Sequence, residues 1–435
     1  MSDEPVRDQY EAYPYPARDP KDERTRLIAG SPSNLAEIDH YVFAGRGAFA
    51  KPFRALIAGG GTGDAAVMLA QQLSDRAQER GHAAPGEVVY LDLSRAAREI
   101  AEARAGARGL TNISFHQGSL LDLPGPGGLE GLGSFDYIDC CGVLHHLEDP
   151  PAGLAALVGA LDAAGGMGLM LYAPLGRTGV YPVQAMLRGL GEGGLGEELP
   201  LGERVVLARR LLDALPATNW LKRNPFLGDH KRGDAELVDL LLHARDRAYS
   251  VEQVAALVAG AGLRLASFIE PARYQPASYL KDPVLLRRLE RLDPLARAGF
   301  AESLAGNIKK HILYVVKDAN RADTVARAET PAAVPVARRV PGPELARAIL
   351  KGPAVKAELD GLSFSFAVPR LAASILKRVD GRTSLGQIHA QLQALDSGLG
   401  WDAFKVQFDQ LYAALNGLNH LLLRCSAKED YQASD

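Results

Sequence analysis

"RALIAGGGTGDAAVMLAQQL", residues 54–73, joins an apolar run to a cluster of glycines and then to a helical pattern. Ala55 to Ala58 are uninterrupted apolar residues, as in a strand buried on both faces. Gly59, Gly61 and Gly63 make a loop in which a ligand can approach bare backbone. From Asp64 onward, alanine, valine, methionine and leucine recur at helical spacing. Strand, glycine turn and helix in immediate succession open a doubly wound α/β fold.

The same alternation continues on the C-terminal side. "FRALIAG", "EVVYLDL", "NISFHQG", "FDYIDCCG" and "GGMGLMLYAP" read as strands, with helical stretches at 64–80, 95–108 and 151–162 between them. Continuous apolar strands alternating with helices imply a parallel sheet covered on both faces. Residues 51–175 form this core, and 1–50 precede it as a polar, tyrosine-dotted arm. Residues 176–250 break the rhythm with helical segments and read as a cap inserted after the fifth strand. Residues 251–317 restore it with a helix, the strand "LRLASFIEP", a further helical stretch and the strand "KKHILYVVK", completing the sheet. Residues 318–341 are rich in alanine and proline and read as a linker. Residues 342–435 form a small, mainly helical accessory domain, faintly similar around "SILKRVDGRTSLGQIHAQL" to winged-helix-like peptide-binding domains, which suggests dimerisation or a peptide contact.

The 435 residues are too many for one ordinary core and imply two or three domains. A net charge of −3 gives no field that would draw the whole chain to nucleic acid or to an anionic bilayer. No run of about 18 apolar residues offers a membrane span. Cys140 and Cys141 are adjacent and, with Cys425, lack the spacing of metal ligands, so no metal site is expected and the thiols read as those of a reduced, cytoplasmic protein.

Three ligands compete for the glycine loop. A phosphate-binding loop needs Lys-Ser/Thr after its last glycine, and here Asp64 sets negative charge at that point. A nicotinamide fingerprint starting at Gly59 again meets Asp64 at its sixth position. The third pattern, G-x-G-x-G over Gly59, Gly61 and Gly63, suits a ligand with no phosphate to neutralise, such as the amino-acid half of S-adenosylmethionine. Asp64 is then tolerated at a helix N-terminus. Asp92 closes the second strand, where a carboxylate can accept both ribose hydroxyls or simply cap the helix "SRAAREIAEARA".

"GGGTG", "YLDLS" and "FDYIDCCGVLHHLEDP", in this order and at these distances, resemble the class I S-adenosylmethionine-dependent methyltransferases, in particular the branch with a "VLHH" segment after strand four. The resemblance covers about residues 50–317 and implies a seven-stranded, mostly parallel Rossmann-like sheet. It further implies that Gly59, Gly61 and Gly63 pass under the methionine moiety, that Asp92 binds ribose, and that Leu93 lies against adenine. Ser119 and Leu120 stand where the family contacts the adenine edge, usually with an aspartate, and Cys140 and Cys141 would face the sulfonium. The acid that many members carry on the first strand is Ile57 here. Asp139, one strand across in the implied order, is the substitute we expect for the cofactor's ammonium; the alternative is a bond to a protein donor.

Methyl transfer needs in-line positioning and at most one base. His145 and His146 follow strand four and suit either a base or a shaping role. His243, in "DLLLHARDR", reaches substrate from the cap or lies on its surface. Tyr13, Tyr15, Tyr172, Arg177 and Tyr181 are candidates to meet the acceptor, and Tyr10, Tyr13 and Tyr15 either form an aromatic lid that closes over the cofactor or belong to a disordered tail. Lys222, Arg223, His230, Lys231 and Arg232 form a basic patch with interleaved aspartates, read as a solvated loop. The expectation is a methyltransferase acting on an O, N or C nucleophile of a small molecule. A protein or RNA acceptor, and a non-catalytic cofactor-binding regulator, are the alternatives.

Overall fold

The computed structural model describes residues 4–123, 132–191, 199–350 and 354–425. Seven strands form the main sheet: β1 Arg54–Ala58, β2 Glu87–Asp92, β3 Ile113–Gln117, β4 Phe135–Cys141, β5 Leu161–Tyr172, β6 Leu263–Phe268 and β7 Lys310–Lys317. Their spatial order is β3-β2-β1-β4-β5-β7-β6. The pairs β2–β3, β1–β2, β1–β4 and β4–β5 are all parallel. Leu56, Ile57, Val88, Val89, Tyr90 and Ile138 are at most 1% exposed, as continuous apolar strands covered on both faces require.

The expected helices are present, with small adjustments at their ends. Asp64–Arg80 starts and stops at glycines in left-handed conformation, Gly63 (φ 97°) and Gly81 (φ 66°). Arg95–Ala107 is capped by Ser94, whose side chain accepts from Ala97 N. Its inner face is small, Ala97, Ala101 and Ala105, so it packs close to the sheet. Pro150–Ala160 is capped by Asp149 and carries proline in its first turn. β5 begins earlier than the sequence suggests, at Leu161, with an irregular register before Gly166 and with Asp162, Ala163 and Ala164 at the surface.

The chain divides into two compact units: Met1–Asn34, Phe49–Leu263 and Gly306–Ile312 in one; Leu35–Ala48, Arg264–Ala305 and Leu313–Asp435 in the other. The first unit holds β1 to β5 entire and the inserted segment 176–250. That segment forms helices Val180–Gly191, Leu201–Ala214, Trp220–Arg223 and Asp234–Leu237, followed by a π-helical turn over Val238–Leu242. Its core includes Val183, Leu187, Ala208, Leu237 and Leu241, with Tyr13 packed against it.

The second unit departs from the sequence reading at its start. Val334–Ala337, inside the expected linker, is a strand antiparallel to Leu421–Arg424, and Ala326, Ala328 and Ala333 are buried in that unit's core. Short alanines and an edge strand with a proline carry no helical or strand period, which hides their burial from the sequence. Downstream lie helix Gly342–Ile349, a hairpin of Ala354–Leu359 with Leu362–Ala367, and helices Ala372–Leu376, Leu385–Gln393 and Trp401–Gly417. The "VDGRTS" turn has the plain role of a helix start: Asp380 accepts from Arg382 N and Thr383 N, and Ser384 and Gln387 form a capping box.

Candidate active site

The glycine loop is left-handed at alternate residues, with φ of 77° at Gly59, 51° at Gly61 and 97° at Gly63. A Cβ at Gly59 would lie 2.2 Å from Val143 Cγ2, and one at Gly63 2.8 Å from Ala101 Cβ. Backbone geometry and close packing together therefore demand the G-x-G-x-G spacing. Asp92 ties this loop to β2: Oδ2 accepts from Gly61 N at 2.7 Å and Oδ1 from Ser94 N at 2.8 Å. Each oxygen retains a lone pair for a ribose hydroxyl. Leu93 follows at the strand end, its carbonyl accepting from Gln117 Nε2. Ser119 caps the short turn Leu120–Asp122, accepting from Leu121 N, and Leu120 is buried.

The arm is ordered and laid over this loop. Thr62 donates to it twice, through N to Tyr15 O (3.3 Å) and through Oγ1 to Pro16 O (2.7 Å). Arg18 pairs with Asp64 at 2.6 Å. Arg104, 1% exposed, joins Glu23 of the arm, Asp64 and Thr62 O, and Arg108 completes the pairing with Glu23. Burial alone would raise the Asp64 carboxyl, but the Arg18 and Arg104 guanidiniums hold it below the usual range. Glu11 accepts from Arg95 N and Ala96 N, at the start of helix Arg95–Ala107.

Asp139 is the register partner of Ile57 across β4 and β1. Its carboxyl is buried and, among the described residues, bonded only to neutral donors, Ser33 Oγ at 2.5 Å and Cys141 N at 3.1 Å. Neither His145 nor His146 bonds it. Burial pushes its pKa up to about 7 despite those two bonds. Cys140 and Cys141 are held as neutral thiols by burial, Cys141 at about 12, which removes them as nucleophiles.

Beyond β4 the structure gathers His145, His146, Tyr172 and His243, and adds Tyr10 and Asp239. His145 is 1% exposed, and among the described residues neither of its ring nitrogens has a hydrogen-bond partner. Its ring lies 4.0 Å from that of Tyr172. His146 stacks on His243 at 3.6 Å, with the planes 14° apart. Burial first, then neighbouring charge, keeps His145 and His243 well below the ordinary histidine range. Burial also lowers His146, against the opposing pull of Asp239 and Asp246. Arg177 lies over Tyr172, 3.7 Å from the ring centroid, and pairs with Asp246 at 2.5 Å. Tyr181 is farther out, 5.7 Å from the same guanidinium.

Asp239 is the member that sequence reasoning missed. It accepts from Tyr10 Oη and Tyr172 Oη, each at 3.0 Å, from inside the π-helical turn. A carboxylate inside the apolar run "LVDLLL" is its sequence signal. Ser33, Arg104 and Asp246 were missed as well. In the basic patch, Lys222 bonds Leu215 O, Arg223 lies over Trp220 and Arg232 pairs with Asp229, all local uses of the charge.

Residues 56–167, spanning the glycine loop, Asp92, Asp139 and both histidines, match the family model of a methyltransferase domain. Residues 56–167 thus form a methyltransferase domain of the kind that the motifs resemble, the class I S-adenosylmethionine-dependent methyltransferases. An uncharacterised protein of Synechococcus sp. is 31% identical to this chain over 280 residues. The match covers 61% of this chain and 60% of that protein, so the chain spans less than two thirds of this curated relative. Among solved structures, PKMT2 from Rickettsia typhi matches with a TM-score of 0.61 at 14% identity, over 90% of this chain and 75% of that one. PKMT2 in complex with AdoHcy matches with a TM-score of 0.60 at 15% identity, over 91% and 76%. These likenesses establish the methyltransferase fold. Among the described residues, no helix is long and apolar enough to cross a membrane.

Proposed function

We propose that the protein is a cytoplasmic methyltransferase that methylates an oxygen or nitrogen nucleophile of a small molecule. The observation that carries this reading is His145. It is a fully buried imidazole with two unpartnered nitrogens, just beyond the strand that bears Asp139. A buried polar group left unbonded costs about 1–3 kcal/mol, and an acceptor's hydroxyl or amine would satisfy it.

The cofactor side fits S-adenosylmethionine on two grounds. The loop is bare where side chains would collide, and Asp139 is a buried carboxyl that, among the described residues, has no cationic partner. Gly59, Gly61 and Gly63 would hold the methionine part, Asp92 the ribose, Asp139 the ammonium, and Ser119 and Leu93 the adenine. S-adenosylmethionine, when bound, supplies an electrophilic methyl group on a sulfonium.

The chain's own residues orient the acceptor and take its proton. His145 receives the nucleophile in a dry site, and His146 accepts the proton through Nε2, since its Nδ1 is engaged by Arg245 O at 2.6 Å. Tyr172, Arg177 and the arm tyrosines enclose the acceptor and exclude water. Enclosure by arm and cap favours a small acceptor over a macromolecule, and Lys222, Arg223 and Arg232 of the basic patch are engaged in local contacts.

Incubation with S-adenosylmethionine labelled in the methyl group, followed by size fractionation of a cell extract, tests the proposal. Label in the low-molecular-weight fraction supports it. Label confined to protein or RNA overturns the small acceptor, and saturable binding without transfer supports a regulator instead.

A further inference from the structure

Tyr10 joins groups from distant parts of the sequence. Its hydroxyl lies 3.0 Å from Asp239 Oδ1 and 3.1 Å from His243 Nε2. The direction of each bond follows from the neighbours. Arg245 N–H donates to His243 Nδ1 at 3.0 Å, so that nitrogen carries the lone pair and the ring proton resides on Nε2. Nε2–H donates to Tyr10 Oη, which leaves the Tyr10 hydroxyl to donate to Asp239. Tyr172 donates to the second oxygen, Oδ2.

His146 has the opposite tautomer. The carbonyl of the same Arg245 accepts from its Nδ1, so Nε2 holds the lone pair. Arg245 thus sets both imidazoles, one through its N–H and one through its C=O. The ligand-type atoms of His146, Asp239 and His243 lie within 4.8 Å of one another. This arrangement is nevertheless wrong for a metal ion. His243 offers a proton rather than a lone pair at Nε2, and the stacked rings confine their in-plane nitrogens to nearly parallel planes, unlike the converging donors of a metal site.

We propose that Tyr10 is a positioning residue for proton transfer at His146: carried in by the arm, it bridges His243 and Asp239 and so fixes the carboxylate that faces the imidazolium formed on His146. The proposal rests on His146 as proton acceptor in methyl transfer. In that step the acceptor's X–H bond breaks, its electron pair forms the new bond to the methyl carbon, and the proton forms an N–H bond with the Nε2 lone pair. The sulfonium's positive charge reappears as imidazolium, and the electrons of the broken S–C bond stay on sulfur.

The groups facing His146 are His145 from the same turn, Tyr172 from β5, Arg177 beyond it, and Asp239, His243 and Asp246 from the inserted segment. Arg177 is occupied by Asp246, whereas among the described residues Asp239 has no cationic partner. Asp239 is therefore the group free to compensate the new charge, and its orientation is complete only while the arm is docked.

The test is long-range ¹H–¹⁵N NMR on the full-length protein labelled with ¹⁵N-histidine, with signals assigned through His146→Ala and His243→Ala. The wild type should show His243 protonated at Nε2 and His146 at Nδ1. Tyr10→Phe should shift the His243 Nε2 signal and lower the His146 titration midpoint by about one pH unit, because Asp239 loses a donor and holds its proton more tightly. Tyr172→Phe should lower the His146 midpoint and leave His243 Nε2 in place. S-adenosylhomocysteine affinity, read by calorimetry, should stay within about twofold in both variants. His146 protonated at Nε2 in the wild type, or a Tyr10→Phe spectrum with both histidines unmoved, overturns the proposal; if Tyr172→Phe alone can be prepared, an unmoved His146 midpoint in that variant overturns it. Failure of the wild type to bind S-adenosylhomocysteine overturns the methyl-transfer reading itself, whatever the tautomers.

Discussion

Ile57 and Asp139 are register partners on adjacent parallel strands, an apolar residue and a buried acid side by side. An acid absent from β1 is thus available on β4, held by Ser33 and by the Cys141 amide without a cation. If this carboxylate receives the cofactor's ammonium, Asp139→Asn should weaken S-adenosylhomocysteine binding roughly 10- to 100-fold, the value of a hydrogen bond between charged groups. Calorimetry on the folded variant checks this, and unchanged affinity would assign Asp139 to structure alone.

The raised pKa of Asp139 gives binding a definite pH dependence. An ammonium requires the ionised carboxylate, so affinity should climb about tenfold per unit as pH rises toward 7 and level off above it. Below pH 7, binding should release close to one proton, measurable as a dependence of the calorimetric heat on buffer ionisation. The ligand-free protein should show the opposite trend. A carboxyl whose pKa rises on folding favours the native state below its ordinary value near 4, and this contribution is lost as pH approaches 7.

His145 should separate function from stability. Its unbonded nitrogens stabilise nothing in the ligand-free protein, so His145→Phe should abolish methyl transfer while thermal stability holds or rises. A marked fall in melting temperature would show that the imidazole serves the core.

Arg104 should behave in the reverse way. It is the buried hub between Glu23 and Asp64, and Arg104→Met strands charge inside the protein, at a cost of about 3–5 kcal/mol by denaturant titration. Protease sensitivity should rise first in the arm around Glu23, because that is where the pairing is lost.

Gly61→Ala should loosen the same arm from the other side. The added Cβ would lie 2.7 Å from Tyr15 O, on backbone at φ 51°. We expect retained fold, faster cleavage near Tyr15 and roughly 1–3 kcal/mol of lost stability.

Much of this was legible because it is local. Gly59, Gly61 and Gly63 announce a loop through spacing alone, and the helix at 64–80 follows from periodicity. Asp139 emerged once the implied strand order set β4 beside β1. Tyr10 and Asp239 were not paired in advance, since 229 residues separate them and no pattern links an arm to a cap. The π-helical turn compounded this. It points Asp239 inward within a leucine run whose ordinary helical period gives no sign of it. The strand at 334–337 was lost for a different reason: four residues with a central proline fall below any periodic signal.

Thermal unfolding of the full chain with S-adenosylhomocysteine and, separately, with NAD decides whether the glycine loop serves a sulfonium nucleoside. At about 100 times its dissociation constant, a ligand bound only by the native state adds about 2.7 kcal/mol. We expect S-adenosylhomocysteine to raise the melting temperature by several degrees and NAD to leave it unchanged. Stabilisation by NAD, with none by S-adenosylhomocysteine, would contradict that expectation.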